Sequence, residues 1–267
     1  MAEDAVTDVI AVARPYRGKG TVMTDRATAA AVGTLFLVAW TAGAIGLWLE
    51  ESVVGGDDYL TAASAHPDRL ATSVLLQLVM GVAVVAIAVV IYPVLRRRTE
   101  RSAMAYVVAR TVEGVICVVG ATGLLALITV SEKYVAAQDG TAYAALGQLV
   151  KAERDWSGHA ILDVAVFTVG ALVLNAALYR SHLVPNWLSV WGLAGAVAYL
   201  AAGVLVLYGL EPLSTPQVLL EAPLGLQELA LALWLILKGF AMPRGVISAP
   251  DDLVGEGRCH PVPHAAS

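Results

Sequence analysis

Six long apolar stretches constrain the fold of this chain more than any other feature of its sequence. A helix needs about 20 mostly apolar residues to cross the hydrocarbon core of a bilayer. Six stretches reach that length: Thr28–Leu49, Ala71–Leu95, Ala103–Val130, Gly158–Tyr179, Trp187–Gly209 and Val218–Gly239. The sixth is the weakest, because Pro223, Gln227 and Glu228 interrupt it. The pattern predicts an all-α polytopic membrane protein, a bundle of six transmembrane helices.

The composition agrees with a bilayer environment. The chain is 58% hydrophobic and 15% charged, whereas a soluble domain carries about 25% charged residues. A soluble protein with so few charges would expose large apolar patches and aggregate. We therefore expect the lipid bilayer as the main partner of the chain and expect no nucleic-acid binding.

The distribution of Lys and Arg predicts the orientation, because cytoplasmic loops are enriched in both. Twelve of them fall on one side of the predicted spans. They are Arg14, Arg17, Lys19, Arg26, Arg96, Arg97, Arg98, Arg101, Arg180, Lys238, Arg244 and Arg258. The other side has four, which are Arg69, Lys133, Lys151 and Arg154. Both termini are thus predicted to be cytoplasmic, in a multi-pass protein of the plasma membrane.

Three regions follow along the chain. Residues 1–25 are a polar leader that we expect to be disordered, with Met23 as an alternative start. Residues 26–241 form the membrane domain, and residues 242–267 are a flexible cytoplasmic tail rich in Pro, Gly and charge. The first span is too long for the apolar core of a cleaved signal peptide.

The sequence of each of the two long outer loops predicts a short helix. The first covers Asp57–Ala65, capped by Asp57 or Asp58. The second covers Thr141–Glu153, with Tyr143, Leu146 and Val150 on one face. Both are interpreted as ordinary loop helices on the outer membrane surface.

Small residues at a spacing of four predict close helix packing in lipid. They occur in the first span as Ala39 with Gly43 and Ala42 with Gly46, and in the fifth as Ala194, Ala198 and Ala202. We interpret the first and fifth spans as packing helices.

Polar residues inside the spans carry the functional signal, since an ionisable group at membrane depth costs about 2.5–3.5 kcal/mol. Arg110 and Glu113 share one face of the third span, and His159 and Asp163 share one face of the fourth. The second span adds Gln77, and the sixth adds Gln227 and Glu228. By depth, the ionisable groups form a ladder from outside to inside: His159, Asp163, Glu228, Glu113, Arg110.

Two interpretations of this ladder remain open. Arg110 and Glu113 form a structural ion pair, or the acids line a functional cavity. One arginine cannot neutralise three carboxylates, so at least one acid is expected to be protonated, and protonated buried acids suit proton relays and acid catalysis.

Three functions are compatible with these residues. In the first, a cavity lined by Glu113, Glu228 and Asp163 binds or transports a small or lipophilic molecule or protons. Its remaining lining is expected to include Arg110, His159, Gln77 and Gln227. In the second, one of the three acids is the catalytic acid of a membrane enzyme for an isoprenoid-like substrate, such as a terpene cyclase, with Tyr199 and Trp234 lining the pocket. The third is a non-catalytic membrane subunit.

Cofactor and metal motifs are not expected to contribute. The sequence has no phosphate-binding glycine loop and no HExxH, GxSxG or CxxC motif. Cys259, His260 and His264 lie in the flexible tail, which is a poor metal site, and Cys117 and Cys259 are not expected to form a disulfide.

Two segments resemble a known family. One is YPVLRRRTERSAMAYVVARTVEG at Tyr92–Gly114, and the other is LYRSHLVPNWLSVWGLAG at Leu178–Gly195. The chain resembles, over roughly residues 24–240, a bacterial family of integral membrane proteins classed as domain of unknown function 4386. The resemblance implies the membrane architecture and implies no activity.

Overall fold

A computed structural model describes residues 25–241, apart from the side chains of residues 162–165. Every element in this range is a helix. They are α1 (Asp25–Val54), α2 (Tyr59–Ala65), α3 (Pro67–Arg96), α4 (Glu100–Ala136), α5 (Thr141–Trp156), a π-helix (Ser157–Phe167), α6 (Thr168–Ser181), α7 (Asn186–Leu207) and α8 (Thr215–Leu237). The predicted tail and residues 1–24 of the predicted leader lie outside the described residues, as does Cys259.

Five of these helices are long and apolar enough to cross a membrane: α1, α3, α4, α7 and α8. They correspond to five of the six predicted spans. The fourth predicted span is divided between the π-helix, with 11 residues, and α6, with 14. The all-helical, multi-pass membrane architecture predicted from the apolar stretches is therefore confirmed, while the count of six is not.

The long helices pack as a closed ring. Each contacts the next in the order α1, α3, α4, the π-helix with α6, α7 and α8, and α8 returns to α1. In this order α4 and α8 lie opposite each other. A side chain that joins them must therefore cross the middle of the ring.

The ring has two distinct ends. At one, Arg97 pairs with Asp25 at 2.9 Å, and Arg26 donates hydrogen bonds to the carbonyl oxygens of Ile236 and Leu237 at 2.8 and 3.0 Å. We name this the arginine end, after the turn at Arg96–Arg101. The opposite end, which carries α2 and α5, is named the loop-helix end. The start of α1 and the finish of α8 thus lie at the same end.

Local signals account for several helix boundaries. Thr99 caps α4, because its hydroxyl accepts a hydrogen bond from the backbone N–H of Ser102. Pro67 occupies the first turn of α3, where a missing N–H costs little. His182 ends α6 in the left-handed conformation, at φ 51°. Pro185 comes immediately before α7.

The two loop helices exist, but their predicted details need correction. Asp58 comes before α2 without a side-chain capping bond. In α5 the buried residue is Gly147, which packs on Leu60 of α2, whereas Leu146 is 48% exposed. Leu146 therefore faces away from the bundle, while Gly147 allows the close approach of α2.

The small-residue faces are confirmed in α1 and in part of α7. Ala42 and Gly46 are buried, and a Cβ added at Gly46 would lie 3.3 Å from Leu76 Cβ of α3. In α7 the close contact is made by Gly195, where an added Cβ would lie 3.0 Å from Leu224 Cα of α8. Ala194 itself is exposed. The predicted face of α7 is thus correct at Ala202, which is fully buried, and wrong at Ala194.

Candidate functional site

Arg110 is the centre of a buried polar cluster. Its residue surface is 1% exposed. Its Nη1 donates to both carboxylate oxygens of Glu113, at 3.0 and 2.8 Å, and its Nε donates to the Tyr106 hydroxyl at 3.1 Å. Both partners lie on α4, because residues three and four apart share a helix face.

The third partner of Arg110 comes from the opposite side of the ring. Arg110 Nη2 donates to Glu228 Oε1 of α8 at 3.2 Å. Because α4 and α8 are not neighbours, this ion pair crosses the middle of the bundle. The guanidinium also lies 5.3 to 5.9 Å from three ring centroids, those of Phe36, Tyr106 and Phe167. Arg110 thus interacts with side chains from α1, α8 and the π-helix as well as from its own helix.

The Arg110 cluster borders an apolar cavity of about 390 Å³. Its charged lining is Arg110, Glu113, Glu221 and Glu228, and its aromatic lining is Phe36, Trp40, Phe167 and Tyr199. This combination of apolar walls and a few convergent polar groups is typical of small-molecule sites, which usually measure about 300–1,000 Å³. We name it the central cavity.

A second polar cluster lies at the loop-helix end. Arg154 at the end of α5 pairs with Glu50 and Glu51 at the end of α1, and with its neighbour Asp155 at 2.8 Å. The Glu50 side chain is 2% exposed, and it also accepts a hydrogen bond from Gln77 Nε2 of α3 at 2.8 Å. Although burial alone would lower the pKa of the Arg154 guanidinium, the neighbouring Glu50 carboxylate raises that pKa above its ordinary value.

The Arg154 cluster borders a further cavity of about 290 Å³, which we name the end cavity. Its polar lining is Glu50, Gln77, Glu113, Arg154, Ser157, His159 and Glu221. The two cavities share seven lining residues: Gly43, Leu47, Met80, Glu113, Phe167, Tyr199 and Glu221. They therefore adjoin, and Glu113 borders both. Polar side chains follow this space from the loop-helix end to the Arg110 cluster.

The structure brings most of the sequence-predicted site residues to this space. Arg110, Glu113, Glu228 and Tyr199 line the central cavity. His159 and Gln77 line the end cavity. The side chain of Asp163 lies outside the described part of the structure.

Two predicted lining residues lie elsewhere. Gln227 is fully buried and donates hydrogen bonds to Asn175 Oδ1 and to the carbonyl oxygen of Leu188, at 3.1 and 3.2 Å. Trp234 packs against the main hydrophobic cluster near the arginine end. Consecutive helix positions point about 100° apart, so Gln227 faces α6 and α7 while Glu228 faces Arg110. Neither Gln227 nor Trp234 belongs to the described lining of the two cavities.

Sequence reasoning missed the pairing of Glu50 with Arg154 and assigned both to the outer loops. A signal was present, because Ala42, Gly46 and Glu50 continue one packing face at a spacing of four. It also missed the role of the first span, which supplies Phe36, Trp40 and Gly43 to the central cavity. The interpretation of that span as a packing helix alone was wrong, because its small residues also leave room for the cavity.

Metal ligands do not cluster in residues 25–241. No group of three or more His, Cys, Asp or Glu side chains among them is arranged to hold a metal ion. Cys117 is a buried free thiol there.

Comparison with known proteins identifies the family of the chain but indicates no activity. A search of curated proteins and a search of solved structures each found no match. The family model described as Domain of unknown function (DUF4386) matches residues 31–239. These residues include all five long apolar helices over most of their length, both cavities and both polar clusters. The chain therefore belongs to the family described as Domain of unknown function (DUF4386).

Proposed function

We propose that the chain crosses the membrane six times with both ends in the cytoplasm. The π-helix and α6 follow each other without a break, and their 11 and 14 residues together exceed the roughly 20 that a span needs. The arginine end carries the basic turns, so the positive-inside rule favours it as the cytoplasmic end. The common position of the start of α1 and the finish of α8 supports an even number of crossings.

Cysteine labelling tests this orientation. The native Cys259 in the C-terminal segment is expected to react with a membrane-impermeant maleimide only after cells are permeabilised. In a Cys259→Ser background, Glu132→Cys at the exposed loop-helix end is expected to react in intact cells. The buried Cys117 serves as an internal standard for unreactive thiols. Labelling of Cys259 in intact cells would contradict cytoplasmic termini.

We further propose that the protein binds or transports a small or lipophilic molecule, or protons, through the two adjoining cavities. One observation supports this above the others: Arg110 and Glu228 meet across the middle of the ring and border an apolar cavity. A purely structural ion pair would not require an adjoining cavity. Charged groups inside a membrane bundle typically mark ion or substrate pathways.

The two acids of the Arg110 cluster differ in their geometry. Glu113 engages Arg110 through both oxygens, in the arrangement of a fixed counter-ion. Glu228 engages it through Oε1 at 3.2 Å, and 15% of its side chain is accessible. We therefore propose Glu228 as the group that meets the ligand or proton, and Glu113 as the group that holds Arg110 in place.

Proton flux in proteoliposomes tests the proposal. Purified protein is reconstituted with a pH-sensitive dye inside, and a potassium diffusion potential drives proton movement. Flux is expected to exceed that of protein-free liposomes and to fall about tenfold or more in Glu228→Gln, as for loss of a proton-transfer group. Glu113→Gln is expected to reduce flux as well, by releasing Arg110.

The matched control is Glu132→Gln, which removes an exposed acid at the loop-helix end. It is expected to leave flux unchanged. If Glu113→Gln and Glu228→Gln each keep the wild-type rate of proton flux, that result would count against a proton-coupled role for these residues.

A further inference from the structure

The central cavity has a side opening between α1 and α8. Both helices contribute lining residues from their halves nearer the loop-helix end: Trp40, Gly43, Ala44 and Leu47 from α1, and Val218, Ala222 and Gly225 from α8. Trp40 is 41% exposed, so its side chain reaches from the cavity to the surface of the bundle. We name this gap the side opening.

The two helices approach closely at Gly33, nearer the arginine end. A Cβ added at Gly33 of α1 would lie 2.6 Å from the carbonyl oxygen of Ala232 and 2.8 Å from Ile236 Cγ1 of α8. At Gly225, by contrast, an added Cβ would meet Trp40 Nε1 at 3.7 Å, an ordinary contact. The helices are therefore less tightly packed at the side opening, where the Trp40 indole lies between them.

The charges around the two cavities are unbalanced. Their described lining contains four glutamates and two arginines. The glutamates are Glu50, Glu113, Glu221 and Glu228, and the arginines are Arg110 and Arg154. Each arginine is already paired with at least two carboxylates. With its carboxyl groups ionised, this lining holds more negative than positive charge, which favours a cation over an anion in a low-dielectric setting.

The walls of the central cavity also suit a cation with apolar substituents. Phe36, Phe167, Tyr199 and Trp40 present aromatic rings to this space. Aromatic faces attract organic cations, and the attraction grows when the cation is desolvated. Phe36 and Phe167 already lie 5.9 and 5.3 Å from the Arg110 guanidinium, which shows that this site places rings around a positive charge.

We infer that the central cavity binds a lipophilic organic cation, such as a hydrophobic quaternary ammonium or protonated amine, which reaches it from the bilayer through the side opening. This inference rests on the proposed binding or transport function and adds a ligand class and an access route. The positive group lies near Glu228, and the apolar substituents lie against the aromatic walls. In the proposed orientation, the ligand comes from the outer leaflet.

Two probes of similar size and opposite charge test the ligand class. Wild-type protein in nanodiscs is equilibrated with tetraphenylphosphonium or with tetraphenylborate, and binding to empty nanodiscs is subtracted. Tetraphenylphosphonium is expected to bind saturably. Tetraphenylborate is expected to show no saturable binding.

Variants then locate the site. Glu228→Gln is expected to weaken tetraphenylphosphonium binding about tenfold or more, as for loss of a buried charge partner. The exposed Glu132→Gln is the matched control and is expected to bind like wild type. Gly225→Leu adds bulk at the side opening and is expected to slow association strongly, whereas Gly225→Ala adds one methyl group in ordinary contact with Trp40 and is expected to slow it less.

The outcomes separate this inference from the proposed function. Saturable binding of tetraphenylborate, or proton flux without tetraphenylphosphonium binding, would overturn the cation assignment and leave the proposed function standing. Binding of neither probe, together with no proton flux, would overturn both. An association rate in Gly225→Leu equal to that of the wild type would overturn the access route. Because Gly225→Leu changes no charged residue, it still tests the route if Glu228→Gln does not fold.

Discussion

Replacing Arg110 with methionine is expected to lower the free energy of unfolding by about 3–5 kcal/mol, because it leaves buried carboxylates without their counter-charge. Glu113 would lose both of its hydrogen bonds from Arg110, and Glu228 would lose its partner across the ring. Thermal unfolding of purified protein in detergent, followed by near-ultraviolet circular dichroism, measures the effect. Arg101→Met, an exposed change on the same helix, is expected to shift stability by less than about 0.5 kcal/mol.

A triple variant distinguishes charge imbalance from lost packing. Arg110→Met combined with Glu113→Gln and Glu228→Gln removes the whole ion cluster while keeping similar side-chain volumes. Replacing a buried ion set with neutral residues is often close to neutral, so much of the lost stability is expected to return. A triple variant as unstable as Arg110→Met alone would show that the arginine acts through packing against Phe36, Tyr106 and Phe167.

The local part of this cluster was predictable, and the long-range part was not. Helix periodicity placed Arg110 and Glu113 on one face, and the ion pair at 2.8 Å follows from their spacing of three. The partnership with Glu228 depends on the order of helices around the ring. Span length and polarity carry no information about that order, so α8 could not be placed opposite α4 from the sequence.

Two errors had signals that the sequence contained. Gln227 and Glu228 are consecutive in one helix, and consecutive positions point about 100° apart, so they face different neighbours here. Gln227 is the one turned away, bonded to Asn175 and Leu188. Small residues such as Gly43 were interpreted only as packing contacts, yet a residue without bulk also leaves space, and Gly43 borders both cavities.

The loop-helix end shows why charge counting alone was insufficient. Arg154 was counted only as a loop charge that reports orientation, and no partner was predicted for it. The structure pairs it with Glu50 and Glu51, because α5 returns over the end of α1 and places the Arg154 guanidinium beside the buried Glu50 side chain. The fold of the connection after α4 determines this contact, and no periodicity in the spans encodes it.

Arg154→Met is therefore expected to be strongly destabilising, by about 3–5 kcal/mol, even though Arg154 lies outside the long apolar helices. The Glu50 carboxylate, 2% exposed, would keep only the neutral donors Gln77 and Ser73, at 2.8 and 3.4 Å. We expect α5 to separate from α1, with faster amide hydrogen exchange at Thr141–Trp156 than in the wild type. Arg69→Met, an exposed arginine at the same end, is the control and is expected to change neither quantity.

Two further variants identify the cause of the Arg154 effect. Arg154→Met with Glu50→Gln removes both buried charges and is expected to recover much of the stability, since the glutamine can still accept the hydrogen bond from Gln77. Arg154→Lys keeps the charge, but a single ammonium cannot match a guanidinium that faces Glu50, Glu51 and Asp155 in three directions, so an intermediate loss is expected. Hydrogen exchange in α5 that stays at the wild-type rate in Arg154→Met would show that the helix is held by the packing of Gly147 on Leu60 instead.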